Sequence, residues 1–133
     1  MSTMLHLEFV SPESVLFSGE VDQVDLPGAE GDMGILASHA PMVTELRPGI
    51  VTIHRGGARE PVVVTGGFAE VSPAGLTVLA DRAVAREGFD TAVLAAETKD
   101  AEEDVADATN EAERDKLARH LDHLKALQAA LAQ

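Results

Sequence analysis

Asp32, Ser38 and His39 are the residue types of a hydrolytic triad, and they lie close together in the chain. Adjacent side chains on an extended segment point to opposite sides, so Ser38 and His39 are badly placed for direct proton transfer. No nucleophile-elbow pattern surrounds Ser38. His6, His39 and His54 could converge across strands on a metal, yet no close ligand motif accompanies them, and strand histidines are commonly surface residues. His120 and His123 have a helical spacing that suits a transition metal, but a solvated face is the commoner origin of such a pair. The acids Asp100, Glu102, Glu103, Asp104 and Asp107 lack the glycine and spacing of a calcium loop. We therefore expect no catalytic residues, no metal and no cofactor.

The richest segment runs from Leu26 to Met42 and holds Gly28, Gly31 and Gly34, the acids Glu30 and Asp32, His39, and Pro27 and Pro41. Glycine supplies backbone angles that other residues resist, and proline fixes φ while removing a donor. The segment reads as an elaborate shaped loop with a short apolar strand in its middle. Such loops run over the surface, where partners reach them.

Composition limits what those partners are. The 133 residues suffice for one domain and a small appendage. Hydrophobic residues make up 45%, with no Trp, no Tyr and four Phe, so the core must be aliphatic. A formal net charge of −13 argues against binding nucleic acid or anionic lipid directly. Cysteine is absent, which removes disulfides and thiolate metal sites and fits a reducing compartment. The stretch Met1–Glu8 has no basic leader and no long apolar run, so no targeting segment is expected. No apolar run approaches the ~20 residues needed to span a bilayer, so direct membrane insertion is not expected.

The chain changes period near Gly88. Before it, Leu5, Leu7 and Phe9 alternate with polar residues, as do Val51 and Ile53, Val62 and Val64, and Leu76 and Val78. Each run is short and bounded by turn residues, the pattern of a sandwich or barrel. Gly66-Gly67 marks a bulge or tight corner. After Gly88 there is neither glycine nor proline, and the period becomes helical. Asp90 is the expected N-cap of a first helix with the stripe Leu94, Ala101, Val105 and Ala108. Asn110, with Glu113 three positions on, is the expected capping box of a second. Its face is Leu117, Leu121, Leu124 and Leu131, with Leu127 beside it. The fold expected is mainly β plus α: a β-sandwich over residues 1–88 and an antiparallel two-helix hairpin over 89–133.

Charge is divided unevenly between these parts. Residues 91–108 carry six acids and one base, whereas residues 109–133 carry four of each. The bases of the second helix are Arg114, Lys116, Arg119 and Lys125. The stripe on the first helix offers only Leu94 and Val105 as larger aliphatics, each contributing roughly 1.5–3 kcal/mol if fully buried. Ordering the backbone costs about 1–2 kcal/mol per residue. A free-standing hairpin of this kind is marginal, and it reads as an element able to take more than one position.

Four pieces of the chain, in this order, resemble the epsilon subunit of the F-type ATP synthase, called delta in mitochondria. They are Leu7–Glu13 with the Phe17-Ser18-Gly19 turn, the long loop with Leu46-Arg47-Pro48-Gly49, Gly66–Val71, and Val78–Asp81. The resemblance covers residues 4 to 131. It implies a β-sandwich with a C-terminal helix pair and a non-catalytic role on the central rotor stalk, linking gamma to the ring of c subunits. In many bacteria the helices of this family extend along gamma and inhibit ATP hydrolysis.

By position, Glu30, Gly31, Asp32 and Met33 match the region that meets the c-ring, and Ser38, His39, Pro41 and Met42 match part of the gamma-facing surface. The basic residues Arg114, Lys116, Arg119 and Lys125 stand where a regulatory helix would meet the alpha/beta head. Some bacterial members bind ATP with an Asp followed three positions later by Arg-Ala. Here Asp90 is followed by Val93 and Leu94, so a phosphate lacks its paired cation, and no strong ATP site is expected although Arg82 and Arg86 lie upstream. The resemblance places the chain peripherally on the cytoplasmic face of a bacterial inner membrane. The alternative is a stand-alone β-sandwich ligand-binding protein, which the lack of aromatic platforms disfavours.

Overall fold

Alternating apolar residues build ten strands in the described part of the chain: β1 Leu5–Val10, β2 Val15–Val21, β3 Gln23–Gly28, β4 Gly31–Ile35, β5 Met42–Leu46, β6 Gly49–Arg55, β7 Ala58–Val64, β8 Gly67–Ser72, β9 Gly75–Ala80 and β10 Ala83–Ala85. A 3-10 turn at Arg86–Gly88 ends this part, and α1 Thr91–Asp107 and α2 Glu111–Leu131 follow. This computed structural model describes residues 4–132; residues 1–3 and 133, the outermost ends of the two expected domains, lie outside the described residues.

The strands form one hydrogen-bonded path, β10-β7-β6-β3-β5-β8-β9-β1-β2, with β4 added to β3. Neighbours are antiparallel except β1 and β9, which run parallel. The path is narrowest between β3 and β5, which share the single register pair Gly28↔Leu46. There the sheet turns into two layers, β4, β3, β6, β7 and β10 on one side and β5, β8, β9, β1 and β2 on the other. The far side is tied by Arg55 of β6, whose guanidinium lies 5.0 Å from the centre of the Phe17 ring of β2, a cation–π arrangement. Between the layers sits an aliphatic core with one phenylalanine, including Leu7, Phe9, Val24, Leu26, Ile35, Val51, Ile53 and Val78. Leu5, Leu7 and Phe9 are all buried, as period-two alternation requires. On β7 the alternation fails: Val63 is buried as fully as Val64, while Val62 is half-buried.

Gly66-Gly67 makes the expected corner. Gly67 has φ +138°, and a Cβ there would stand 2.1 Å from the Leu79 carbonyl oxygen, so only glycine fits. The corner lets β8 begin while the Asp81 N–H still donates to the Gly66 carbonyl at 3.0 Å.

Backbone proximity divides the chain into two compact units, Met1–Gly88 and Phe89–Gln133. In the second unit α1 and α2 pack against each other. The Asp90 carboxylate accepts from the N–H groups of Ala92 and Val93, and the Asn110 side chain accepts from the Glu113 N–H. The reciprocal half of the expected box differs: Glu113 reaches back to the backbone and hydroxyl of Thr109. Leu94, Thr98 and Ala101 are the buried residues of α1, while Val105 and Ala108 are half-buried. Thr98 is hidden from a hydrophobicity stripe because its hydroxyl satisfies itself on the Leu94 carbonyl at 2.8 Å. On α2, Leu127 and Leu124 are the buried pair, and Leu117, Leu121 and Leu131 are half-buried, so Leu127 is central and not lateral.

Candidate functional site

The Leu26–Met42 segment departs from the shaped loop expected of it. Its first half is a β-hairpin, with Val24↔Ile35, Leu26↔Met33 and Gly28↔Gly31 in register. The inward alternation Val24, Leu26 and Met33, Ile35 continues straight through the glycines, and burial of those side chains overrides the turn-forming composition. Ala29 and Glu30 form the exposed tip. Asp32 projects outward with its side chain 81% exposed and forms an ion pair with Arg47. The same guanidinium donates to the Gly28 carbonyl. Met33 leans inward against the core, half-buried. Of the expected ring-contact residues, Glu30 is exposed at the tip, Asp32 is exposed but paired with Arg47, Gly31 supplies the turn at φ +147°, and Met33 anchors the strand.

The second half, Leu36–Pro41, is irregular. The His39 N–H donates to the Leu36 carbonyl at 3.0 Å, closing a turn with Ala37 and Ser38 at its apex. The His39 Nδ1 lies 2.8 Å from the Ala40 carbonyl, so the ring is spent on local backbone. Ser38 and Pro41 are exposed, and Leu36 is 55% exposed. Met42 begins β5 pointing toward the core, opposite Val71, and its neighbour Val43 points outward with 66% exposure.

Val43 leads onto a surface that sequence reasoning missed. Register pairs Glu45↔Phe68, Phe68↔Leu79, Leu79↔Val10 and Val10↔Val15 line up as one row across β5, β8, β9, β1 and β2. Phe68 is 54% exposed, Leu79 47% and Val15 64%, so the outer face of this layer carries a contiguous apolar strip. The signal was available: Phe68 shares its strand phase with Glu70, and a phenylalanine in the polar phase is out of place unless something covers it.

Beside the strip the same face is acidic and ordered. His6 stands between Glu8 and Glu20, with Nε2 2.8 Å from the Glu8 carboxylate and Nδ1 3.1 Å from that of Glu20. The Ser18 hydroxyl donates to Glu8 at 2.6 Å. The hydrogen bond to Glu8, and then that to Glu20, raises the His6 pKa above its ordinary value. The Ser18 hydroxyl, and then His6, lowers that of Glu8. On the other layer His54 pairs with Asp25 at 2.7 Å.

These placements bear on the chemical alternatives. Asp32 is engaged by Arg47 and His39 by backbone, and Ser38 has its turn, so no triad is assembled. His6, His39 and His54 each have separate partners, and among the described residues no three His, Asp or Glu side chains converge as a metal site would need. In the helical unit Arg114, Lys116, Arg119 and Lys125 are all exposed, as are His120 and His123. Arg114 spends one donor on the Ala108 carbonyl at 3.3 Å. Where an ATP-binding relative would place arginine, Val93 stands 51% exposed, and the Asp90 carboxylate is engaged in capping. No described helix is long and apolar enough to cross a membrane.

Comparison with known proteins gives a consistent result. The family described as ATP synthase, Delta/Epsilon chain, beta-sandwich domain matches residues 4–86. The ATP synthase epsilon chain of Parvibaculum lavamentivorans is 52% identical over 128 residues, covering 96% of this chain and 97% of the relative. ATP synthase epsilon chain 2 of Nitrobacter hamburgensis is 50% identical over 130 residues, covering 98% and 96%. Among solved structures, a chain of the Euglena gracilis mitochondrial ATP synthase aligns with a TM-score of 0.84 and 28% identity, covering 98% of this chain and 83% of that one. A chain of the Tetrahymena thermophila mitochondrial enzyme, at 12% identity and a TM-score of 0.68, shares the fold. With its sandwich matched by the family model and relatives about half identical along nearly its whole length, the chain belongs to the ATP synthase epsilon family, homologous to mitochondrial delta, as a non-catalytic subunit of the central stalk.

Proposed function

We propose that this chain links gamma to the c-ring in a proton-translocating ATP synthase, peripheral to the cytoplasmic face of a bacterial inner membrane. The observation that carries the reading is the apolar strip of exposed Phe68, Leu79 and Val15 with half-buried Val10 among them, together with exposed Val43 on the same layer, which follows Ser38, His39 and Pro41 in the chain. An apolar strip with a polar rim is the anatomy of a protein–protein contact. It is the face offered to gamma, and Met42 supports it from beneath. The acidic tip, Glu30 and Asp32 carried on Gly31 and Met33, is the face offered to basic or polar groups of the ring loops. The helical unit regulates ATP hydrolysis by presenting Arg114, Lys116, Arg119 and Lys125 to the alpha/beta head.

The test is titration of purified gamma with the full chain and with Phe68→Ser/Leu79→Ser. Both substitutions lie on the exposed face, so the core and the melting temperature stay unchanged. The expected result is gamma binding weakened by about a hundredfold, in line with truncating two central anchors. Unchanged binding would remove the apolar strip from the gamma interface.

A further inference from the structure

The acids Glu30 and Asp32 carry equal charge and are both exposed, yet their surroundings differ. Arg47 forms an ion pair with Asp32 and donates to the Gly28 carbonyl, holding both limbs of the β3–β4 tip with one guanidinium. Its own N–H donates to the Pro27 carbonyl at 2.9 Å, and the Ala29 N–H donates to the Glu45 carbonyl at 2.8 Å. Arg47 follows β5 and precedes Pro48 and Gly49 of the turn into β6, so its backbone belongs to the rigid corner of the sandwich. Among the described residues, no side chain pairs with Glu30.

We infer that Arg47 is the positioning residue of the ring-facing tip: it fixes the hairpin and the Asp32 carboxylate, leaving Glu30 as the uncompensated charge. This rests on the assignment of the tip to the c-ring. An isolated exposed ion pair contributes little. Here the planar fork serves a carboxylate and a carbonyl on opposite limbs, which a lysine ammonium does not match in geometry. The clamp acts chiefly by order: a tip held in one geometry loses less freedom when it docks.

The experiment has two arms. In the free full-length chain, amide hydrogen exchange is followed at Ala29–Met33 and, as a control, at Val51 and Ile53. Arg47→Gln should speed exchange at the tip by about tenfold and leave the core unchanged, with Arg47→Lys intermediate. Asp32→Asn, which cuts the clamp from its other end, should loosen the tip in the same way and serves if Arg47→Gln folds poorly. In the second arm, the affinity of the gamma-bound chain for purified c-ring should fall in Arg47→Gln and recover in part in Arg47→Lys. A tip as well protected in both clamp variants as in the native chain would overturn the inference. So would a loosened tip with unchanged ring affinity, provided Glu30→Gln does weaken the ring. If Glu30→Gln and Asp32→Asn together leave ring affinity intact, the ring assignment itself falls, and the clamp is reduced to a feature of the fold.

Discussion

Single side chains divide here into those that carry charge outward and those that hold them. Glu30 and Asp32 stand on a hairpin tip whose backbone is secured by Ala29, Gly28 and Arg47. Replacing both acids with Gln and Asn should therefore leave the melting temperature within about 2 °C, as expected of surface positions, while lowering ring affinity. His6 and Glu8 give a pH signature. His6 has its pKa raised from 6.5, so its contribution is complete below that value and is lost as pH rises through the raised pKa. Glu8 has its pKa lowered from 4.5, so its contribution is complete above that value and is lost as pH falls through the lowered pKa. The pair stabilises most between those two ordinary values. His6→Gln should melt below the native chain at pH near 5.5, and the gap should narrow as the pH is made alkaline, as followed by thermal unfolding. A gap that stays equal at alkaline pH would contradict the assignment.

At the scale of elements, packing decides which pattern wins. Leu127→Ala empties a buried position of the helix pair and should cost about 2–5 kcal/mol, whereas Leu117→Ala, half-buried, should cost roughly half as much or less. Far-ultraviolet melting of the helical unit reads the difference. Gly67→Ala should prevent normal pairing of β8 with β9, because the new methyl meets the Leu79 carbonyl oxygen. The strands and both N-caps were legible because alternation and capping are local properties of Leu5–Phe9, Asp90 and Asn110. The β3–β4 hairpin was not, because Gly28, Gly31 and Asp32 announce a turn while Leu26 and Met33 pair only through a core that alternation alone does not reveal. The apolar strip was missed for a related reason. Phe68, Leu79, Val10 and Val15 are scattered in the chain and meet only through cross-strand register. Thr98 escaped notice because its polar atom is satisfied within its own helix.

As a whole the molecule is acidic, at −13, yet its charge is not uniform: the second helix balances its acids with four bases. The exposed helical bases and the acidic tip thus suit partners of opposite character, one at each functional unit. A chain ending at Phe89 should still bind gamma through the sandwich and should leave ATP hydrolysis by the reconstituted head faster than the full chain does. The most direct measurement of the central claim is proton-driven ATP synthesis in vesicles lacking this subunit, restored with the native chain, with Phe68→Ser/Leu79→Ser, or with Glu30→Gln/Asp32→Asn. The account predicts full restoration by the native chain alone. It also predicts that the tip variant still binds gamma as the native chain does, while the strip variant binds it about a hundredfold more weakly. Full synthesis with both variants would contradict the account, since neither surface would then carry the link between gamma and the ring.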